Sequence, residues 1–405
     1  MDRHPEGNVA AKDPGAPLPR RCSDLVSGLG VLSPTVLVLA GEASGDHHAA
    51  EFVGALSRRL PGVRFVGTGG DLMKAKGVEL LADLDDLAVM GFVEVLPKLP
   101  FLRRLARRLR RLMDDGRPDL VVLVDYPGFN MRMARAAHSR GLPVLYYIAP
   151  KAWAWRSGRA RTLAEITDRV AVILPFEKPF FQSHGAVATY VGSPLLDRED
   201  DVPDRETFLD TWGLERESPI LAVLPGSRGQ ELKHHLEAFG DIAGAVVEAR
   251  PDVTPVFSRA RTLENDWFSD VGFPTVDDTR GLLRHADAAL VKSGTVTLET
   301  ALEGTPFVIA YRTSAITNWV ARKVLKADHI GLPNLVLDDR VVPEFLQAEL
   351  RPETVAPVLL ELLDDASERR RRQVADLARV RERMGGPGAS DRVAALAVEL
   401  LENRR

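Results

Sequence analysis

Two segments in the second half of the sequence place glycine turns beside groups that bind phosphate. In LPGSRGQE, residues 224–231, Gly226 and Gly229 let the backbone turn tightly between an apolar run and an amphipathic one. A helix starting there presents free N–H groups to an anion, and Arg228 adds a charge suited to a bidentate phosphate contact. KSGTVTLE, residues 292–299, repeats the arrangement. Ser293, Gly294 and Thr295 stand where a strand ends and a helix begins, and Glu299 falls about one turn in, placed for a ribose diol. A helix cap and a surface acid would explain single residues of this set, but not glycine-opened turns after two strands. HIGLPNLV, residues 329–336, reads by itself as a turn at Pro333-Asn334.

The first half carries acids instead. DYPGFN, residues 125–130, puts Asp125 at the end of the apolar run LVVLV. A partly desolvated carboxylate there suits a general base acting on a hydroxyl; capping of the next helix is the plainer alternative. In GEASGDHHAA, residues 41–50, Glu42, Ser44 and Asp46 bring polar groups to a strand end, where they suit sugar hydroxyls; Ser44 and Asp46 would serve equally as helix caps. APKAWAWRSGRAR couples Trp153 and Trp155 to Arg156, aromatic faces suiting sugars and arginine suiting phosphate. Core tryptophans beside a solvated basic face would look the same. Between residues 102 and 112, Leu102, Leu105, Leu109 and Leu112 share one helical face, and Arg103, Arg104, Arg107, Arg108, Arg110 and Arg111 cover the rest. That pattern predicts an interfacial helix drawn to anionic lipid, with ordinary packing on a sheet as the alternative.

Short β-branched runs alternating with amphipathic stretches must position these groups, which predicts βαβ units and parallel sheets. The candidate strands are 35–40, 120–125, 143–148 and 170–174, then 219–226, 253–257, 288–294 and 306–311. A charged stretch, DREDDVPDRET, separates the two series. The expected fold is α/β: two Rossmann-like domains facing a cleft, the GT-B arrangement. Residues 1–34 read as a flexible extension, 35–200 as the acceptor and membrane-facing domain, and 201–385 as the nucleotide-sugar domain. A final helix in 386–405 is expected to return to the first domain.

Composition narrows the function. The chain of 405 residues is too long for one ordinary core, and its net charge of -4 speaks against a general nucleic-acid binder. Cys22 is the only cysteine, which leaves no intrachain disulfide and fits a reducing cytoplasm. No apolar stretch is long enough to span a bilayer, and the N-terminal residues lack the apolar core of a signal peptide. Neither a GxxxxGK[ST] loop nor a GxGxxG at the first strand is present, against ATPases and dinucleotide dehydrogenases.

Taken in order, GEASGD, VMGFVEVL, DYPGFN, YYIAPKAWAWR, LPFEKPFF, LPGSRGQE, SGTVTLE, PFVIAYR and GLPNLV resemble the lipid-A-disaccharide synthase family from about Thr35 onward. The resemblance implies inverting transfer of 2,3-diacylglucosamine from UDP-2,3-diacylglucosamine to 2,3-diacylglucosamine 1-phosphate, giving the β-1,6 disaccharide 1-phosphate and UDP. It implies no metal and no cofactor, and a cytoplasmic enzyme held peripherally at the inner face of the inner membrane. Asp125 matches the family's base; Arg228, Ser293, Gly294, Thr295, Glu299 and Asn334 match its nucleotide-side motifs. Ser193 stands where the family often has histidine, Ala149 where serine is common and Ala49 where glycine is common. The alternatives are another UDP-GlcNAc enzyme of the same fold, either a non-lipid glycosyltransferase or a 2-epimerase, and a non-catalytic lipid or nucleotide-sugar binding protein.

Overall fold

The structure, a computed structural model, describes residues 33–404 except 88–94, 155–157, 199–200, 261–262, 264 and 314–328. The predicted extension, part of the MGFVEVL segment, Trp155 and Arg156 therefore lie outside the described residues. Two α/β units result: the first runs to Asp197 and resumes at Pro387, and the second is Arg198–Gly386.

The first sheet comprises β1 (Thr35–Leu39), β2 (Arg64–Gly69), β3 (Glu79–Asp83), β4 (Leu120–Val124), β5 (Val144–Tyr147), β6 (Arg169–Val172) and β7 (Ala188–Tyr190). Its strands are parallel, in the order β3-β2-β1-β4-β5-β6-β7. Alternate residues feed opposite cores because side chains alternate along a strand. Leu37, Leu39, Val121 and Leu123 enter one core. Val36, Val38, Val122 and Val124 enter the other. Burial on both faces explains why these strands read as continuous apolar runs.

The second sheet comprises β8 (Ile220–Leu224), β9 (Thr254–Ser258), β10 (Thr275–Val276), β11 (Ala288–Lys292), β12 (Phe307–Tyr311) and β13 (Glu344–Leu346). It too is parallel, ordered β10-β9-β8-β11-β12-β13. The strand order reverses between β1 and β4 in the first sheet and between β8 and β11 in the second. Crevices for ligands open at the C-terminal strand ends beside such reversals. All the strands expected from sequence are present, and those at the reversals carry the chemical motifs.

Helix Ala389–Glu402 closes the first unit, packing Val393, Ala394, Ala397, Leu400 and Leu401 into the core shared with helix Ala43–Arg59. Each buried valine or leucine there contributes about 1.5–3 kcal/mol. The Asp197 carboxylate seats the helix N-terminus, accepting from the amides of Gly388 at 2.6 Å, Ala389 at 3.1 Å and Ser390 at 2.9 Å. It thus satisfies N–H groups that have no partner inside the helix.

Two expectations change. In helix Val95–Asp114 the leucine stripe faces the protein, with Leu105 and Leu109 wholly buried, Leu112 nearly so and Leu102 packed beside them. The core takes the apolar face, so no stripe is left to enter a bilayer. What the helix presents outward is Arg103, Arg104, Arg107, Arg110 and Arg111, while Arg108 turns in to donate to the Leu81 carbonyl at 3.3 Å. Pro333-Asn334 opens the short helix Leu332–Leu337 rather than a turn, since proline in a first helical turn forfeits no intrahelical hydrogen bond.

Candidate functional site

At the end of β4 the chain enters helix Pro127–His138 through two consecutive left-handed residues, Asp125 at φ 48° and Tyr126 at φ 49°. Side chains other than glycine adopt this conformation at roughly 1–2 kcal/mol per residue, so the surroundings must impose it. The Asp125 amide donates to the Tyr147 carbonyl at 3.0 Å, while its own carbonyl accepts from the Tyr146 hydroxyl at 2.8 Å and the Asn130 amide at 2.8 Å. Asp125 is left half-buried at the β1–β4 reversal.

Gly41, just past β1, is covered by the Tyr126 ring: a Cβ there would lie 2.4 Å from it. Only glycine allows that approach. Burial, then the nearby Glu42 carboxylate, raises the Tyr126 phenol above its ordinary range. Glu42 and Ser44 are exposed at the start of helix Ala43–Arg59, on the same edge as Asp125.

Asp46 does something else. It is buried, and its carboxylate accepts from the amides of Gly70 at 2.7 Å, Leu72 at 3.2 Å and Met73 at 3.2 Å. It caps helix Asp71–Ala75, and both its oxygens are engaged within the protein. Trp153 is likewise anchored: its indole N–H donates to Glu177 at 3.0 Å and its ring meets Phe176 edge-on. Glu177 also accepts from the amides of Ile173 and Leu174. Burial lifts its carboxyl to about 7, opposed by these hydrogen bonds and by the Lys151 charge. Trp153 is therefore held to the fold by a hydrogen bond and a ring contact.

In the second unit, Gly226 at φ +134° opens the turn after β8, where a Cβ would lie 2.7 Å from Glu231. Arg228 occupies the N-cap position of helix Gly229–Ala249 and is exposed. The Glu231 carboxylate accepts from the Ser227 amide at 2.9 Å and pairs with the Lys292 ammonium at 2.7 Å. One carboxylate thus ties the turn after β8 to the end of β11. Burial raises the Glu231 carboxyl, but the Lys292 hydrogen bond and charge, the Ser227 amide and Arg228 outweigh it and hold it below its ordinary value. His235 Nε2 accepts from the Arg312 amide at 2.9 Å, so Nδ1 carries the proton and donates to the Glu231 carbonyl at 2.7 Å. Burial depresses its pKa, keeping the ring neutral.

Ser293, Gly294 and Thr295 lie between β11 and helix Val296–Glu303, with Thr295 exposed at the helix N-cap. The Ser293 hydroxyl donates to the Ile330 carbonyl at 3.3 Å, and Thr297 turns back onto the Gly294 carbonyl at 2.7 Å. Glu299 faces Arg198 at 3.4 Å. Asn334 is fully buried, donating to the Val342 carbonyl and to Glu344, each at 2.8 Å, and accepting from the Val342 amide. Glu344 in turn receives the Ile330 and Gly331 amides. Asn334 therefore shapes the segment behind Ser293.

The structure thus gathers Glu42, Ser44 and Asp125 at one reversal, and Arg228, Ser293, Gly294, Thr295 and Glu299 around the other. Asn130, Tyr146, Glu231, Lys292 and His235 brace the backbone around these groups, Glu177 anchors Trp153, and none of the six was singled out by sequence reasoning. All but His235 lie inside the sequence motifs that drew attention to their neighbours, which was the available signal.

The profile of the lipid-A-disaccharide synthetase family matches residues 36–397, spanning both units. The chain belongs to the lipid-A-disaccharide synthetase family. The lipid-A-disaccharide synthase of Syntrophus aciditrophicus is 42% identical over 378 residues, covering 91% of this chain and 98% of that protein. The calicheamicin glycosyltransferase CalG4 superposes with a TM-score of 0.58 at 19% identity, covering 92% of this chain and 99% of that one. UDP-GlcNAc 2-epimerase of Neisseria meningitidis, solved bound to UDP-GlcNAc, gives 0.57 at 12% identity, covering 91% and 100%. These likenesses show the two-domain GT-B fold; the family supplies the activity, a glycosyltransferase of lipid A biosynthesis. Ser193, where the family often has histidine, is buried and accepts from the Leu195 amide at 3.3 Å, capping the turn Pro194–Leu196.

Proposed function

We propose that the enzyme transfers 2,3-diacylglucosamine from UDP-2,3-diacylglucosamine to the 6-hydroxyl of 2,3-diacylglucosamine 1-phosphate, with inversion. The observation that carries the chemistry is a carboxylate, Asp125, set by a constrained backbone at the reversal of the first sheet. Asp125 takes the acceptor's hydroxyl proton as the new bond to the anomeric carbon forms; the bond from that carbon to the diphosphate breaks, and UDP departs with its electron pair. Glu42 and Ser44 bind sugar hydroxyls from the same edge. Arg228, the Ser293–Thr295 turn and Glu299 hold UDP, a reading supported by the nucleotide sugar bound to the Neisseria relative. Mass spectrometry of products from defined substrates tests this. We expect a tetraacylated disaccharide phosphate from the acylated pair and none from UDP-GlcNAc with glucosamine 1-phosphate; the reverse preference would overturn the substrate assignment.

We also place the enzyme on an anionic membrane at the inner face of the inner membrane, held by arginines alone. No helix among the described residues is long and apolar enough to cross a membrane. The exposed arginines of helix Val95–Asp114 adjoin a groove lined by Arg110, Arg132, Arg135 and Arg140 on a chain whose overall charge is -4, so the positive charge is local. Each arginine near such a surface contributes about 1 kcal/mol within a Debye length of roughly 8–10 Å. Sedimentation with vesicles should show binding that requires anionic lipid and vanishes in high salt. Replacing Arg103, Arg104, Arg107 and Arg111 by glutamine should release the protein with UDP binding intact. Binding indifferent to salt would refute the arginine attachment.

A further inference from the structure

The left-handed pair at Asp125 and Tyr126 is gripped by one buried side chain. The Asn130 amide nitrogen donates to the carbonyls of Leu39 at 3.2 Å, Val124 at 3.2 Å and Asp125 at 2.8 Å. Three surrounding acceptors establish which end of this amide is nitrogen. The acceptors belong to the ends of β1 and β4, the two strands flanking the reversal. Asn130 Oδ1, by contrast, is buried with no hydrogen-bond partner among the described residues. A bare buried oxygen is destabilising, so stability alone does not account for an amide here. The side chain serves the three carbonyls. The Tyr146 hydroxyl completes the grip on the Asp125 carbonyl, and burial followed by the Asp125 charge keeps that phenol protonated.

We propose that Asn130 is a positioning residue for the transfer reaction: it fixes the backbone of Asp125 at the β1–β4 reversal and so aims the carboxylate, without touching substrate itself. The inference rests on the reading of Asp125 as the base. Misplacing a reacting group by about 1 Å costs on the order of a hundredfold in rate. Asn130→Asp keeps the volume and loses the donors when ionised; Asn130→Ser keeps one donor that does not reach all three carbonyls.

The test is a double-mutant cycle with steady-state kinetics, each Asn130 variant being made alone and together with Asp125→Asn. In the otherwise native enzyme either variant should lower kcat by about a hundredfold and change KM for the UDP-sugar by no more than about twofold. In the Asp125→Asn background the same change should cost less than about threefold, because the aim of a lost base no longer matters. Native kcat in both variants, or equal losses in the two backgrounds, would overturn the proposal. So would loss of the folded state in both, read by thermal melting, since Asn130 would then be needed for the fold. Failure of the Asp125 reading is separately visible, as undiminished turnover in Asp125→Asn alone.

Discussion

Asp125→Asn should lose at least about a hundredfold in turnover while its UDP affinity and melting temperature stay close to those of the native enzyme. Positioned bases contribute about 10²–10⁴-fold, because a sugar hydroxyl is a weak nucleophile until its proton is taken. The substitution isolates that role. Asparagine has nearly the shape of aspartate and is among the residues that tolerate a left-handed backbone, so the turn into helix Pro127–His138 survives. The hydrogen bonds that hold the turn run through the Asp125 backbone, which the change leaves in place. Steady-state kinetics, calorimetry with UDP and thermal melting together check the three parts. Near-native turnover would make Asp125 structural and pass the role to Glu42, exposed on the same edge. Asp46 is no substitute, because its carboxylate already caps a helix.

Arg228→Ala should weaken UDP binding about tenfold or more. An exposed arginine at a helix N-cap gives a diphosphate a charge-assisted contact worth roughly 1.5–3 kcal/mol, and each 1.4 kcal/mol is about a factor of ten. The helix N-terminus itself remains in the variant, so binding should be weakened rather than abolished. Glu299→Ala should lower affinity as well, since a ribose diol loses its acceptor and Arg198 its partner. Calorimetry with UDP measures both. Unchanged affinity in the two variants would remove UDP from this part of the second unit.

The sequence showed best what depends on local pattern. Its eight apolar runs became the inner strands of both sheets because strands buried on two faces must be apolar throughout. The remaining strands, β2, β3 and β7 in the first sheet and β10 and β13 in the second, lie toward the sheet edges. They are short or begin on exposed polar residues such as Arg64 and Glu79, so their pattern is faint. Motif glycines were equally legible, since a turn after a strand announces itself.

Partners distant in sequence were not. Asp46 meets amides about two dozen residues away, and Glu231 meets a lysine 61 residues on. No spacing rule links such pairs, and so Asp46 resembled a sugar ligand while Glu231 passed unnoticed. Helix Val95–Asp114 misled for a related reason. A leucine stripe beneath arginines is the same pattern whether the apolar side meets lipid or a protein core, and only the packed structure decides.

The seating of the last helix on the first has a consequence for how the molecule is made. A ribosome supplies the first sheet early, then the whole of the second unit, and only afterwards the helix that packs against helix Ala43–Arg59 and the strands β4 and β5. Between Asp197 and its partner Gly388 the wait is on the order of 10–40 s at about 5–20 residues per second. By the end of that interval the second unit has every residue it needs, while the older one has shown part of an apolar face to solvent throughout. The order of completion is therefore the reverse of the order of synthesis, and the nascent first unit is the stretch for which a chaperone has something to hold.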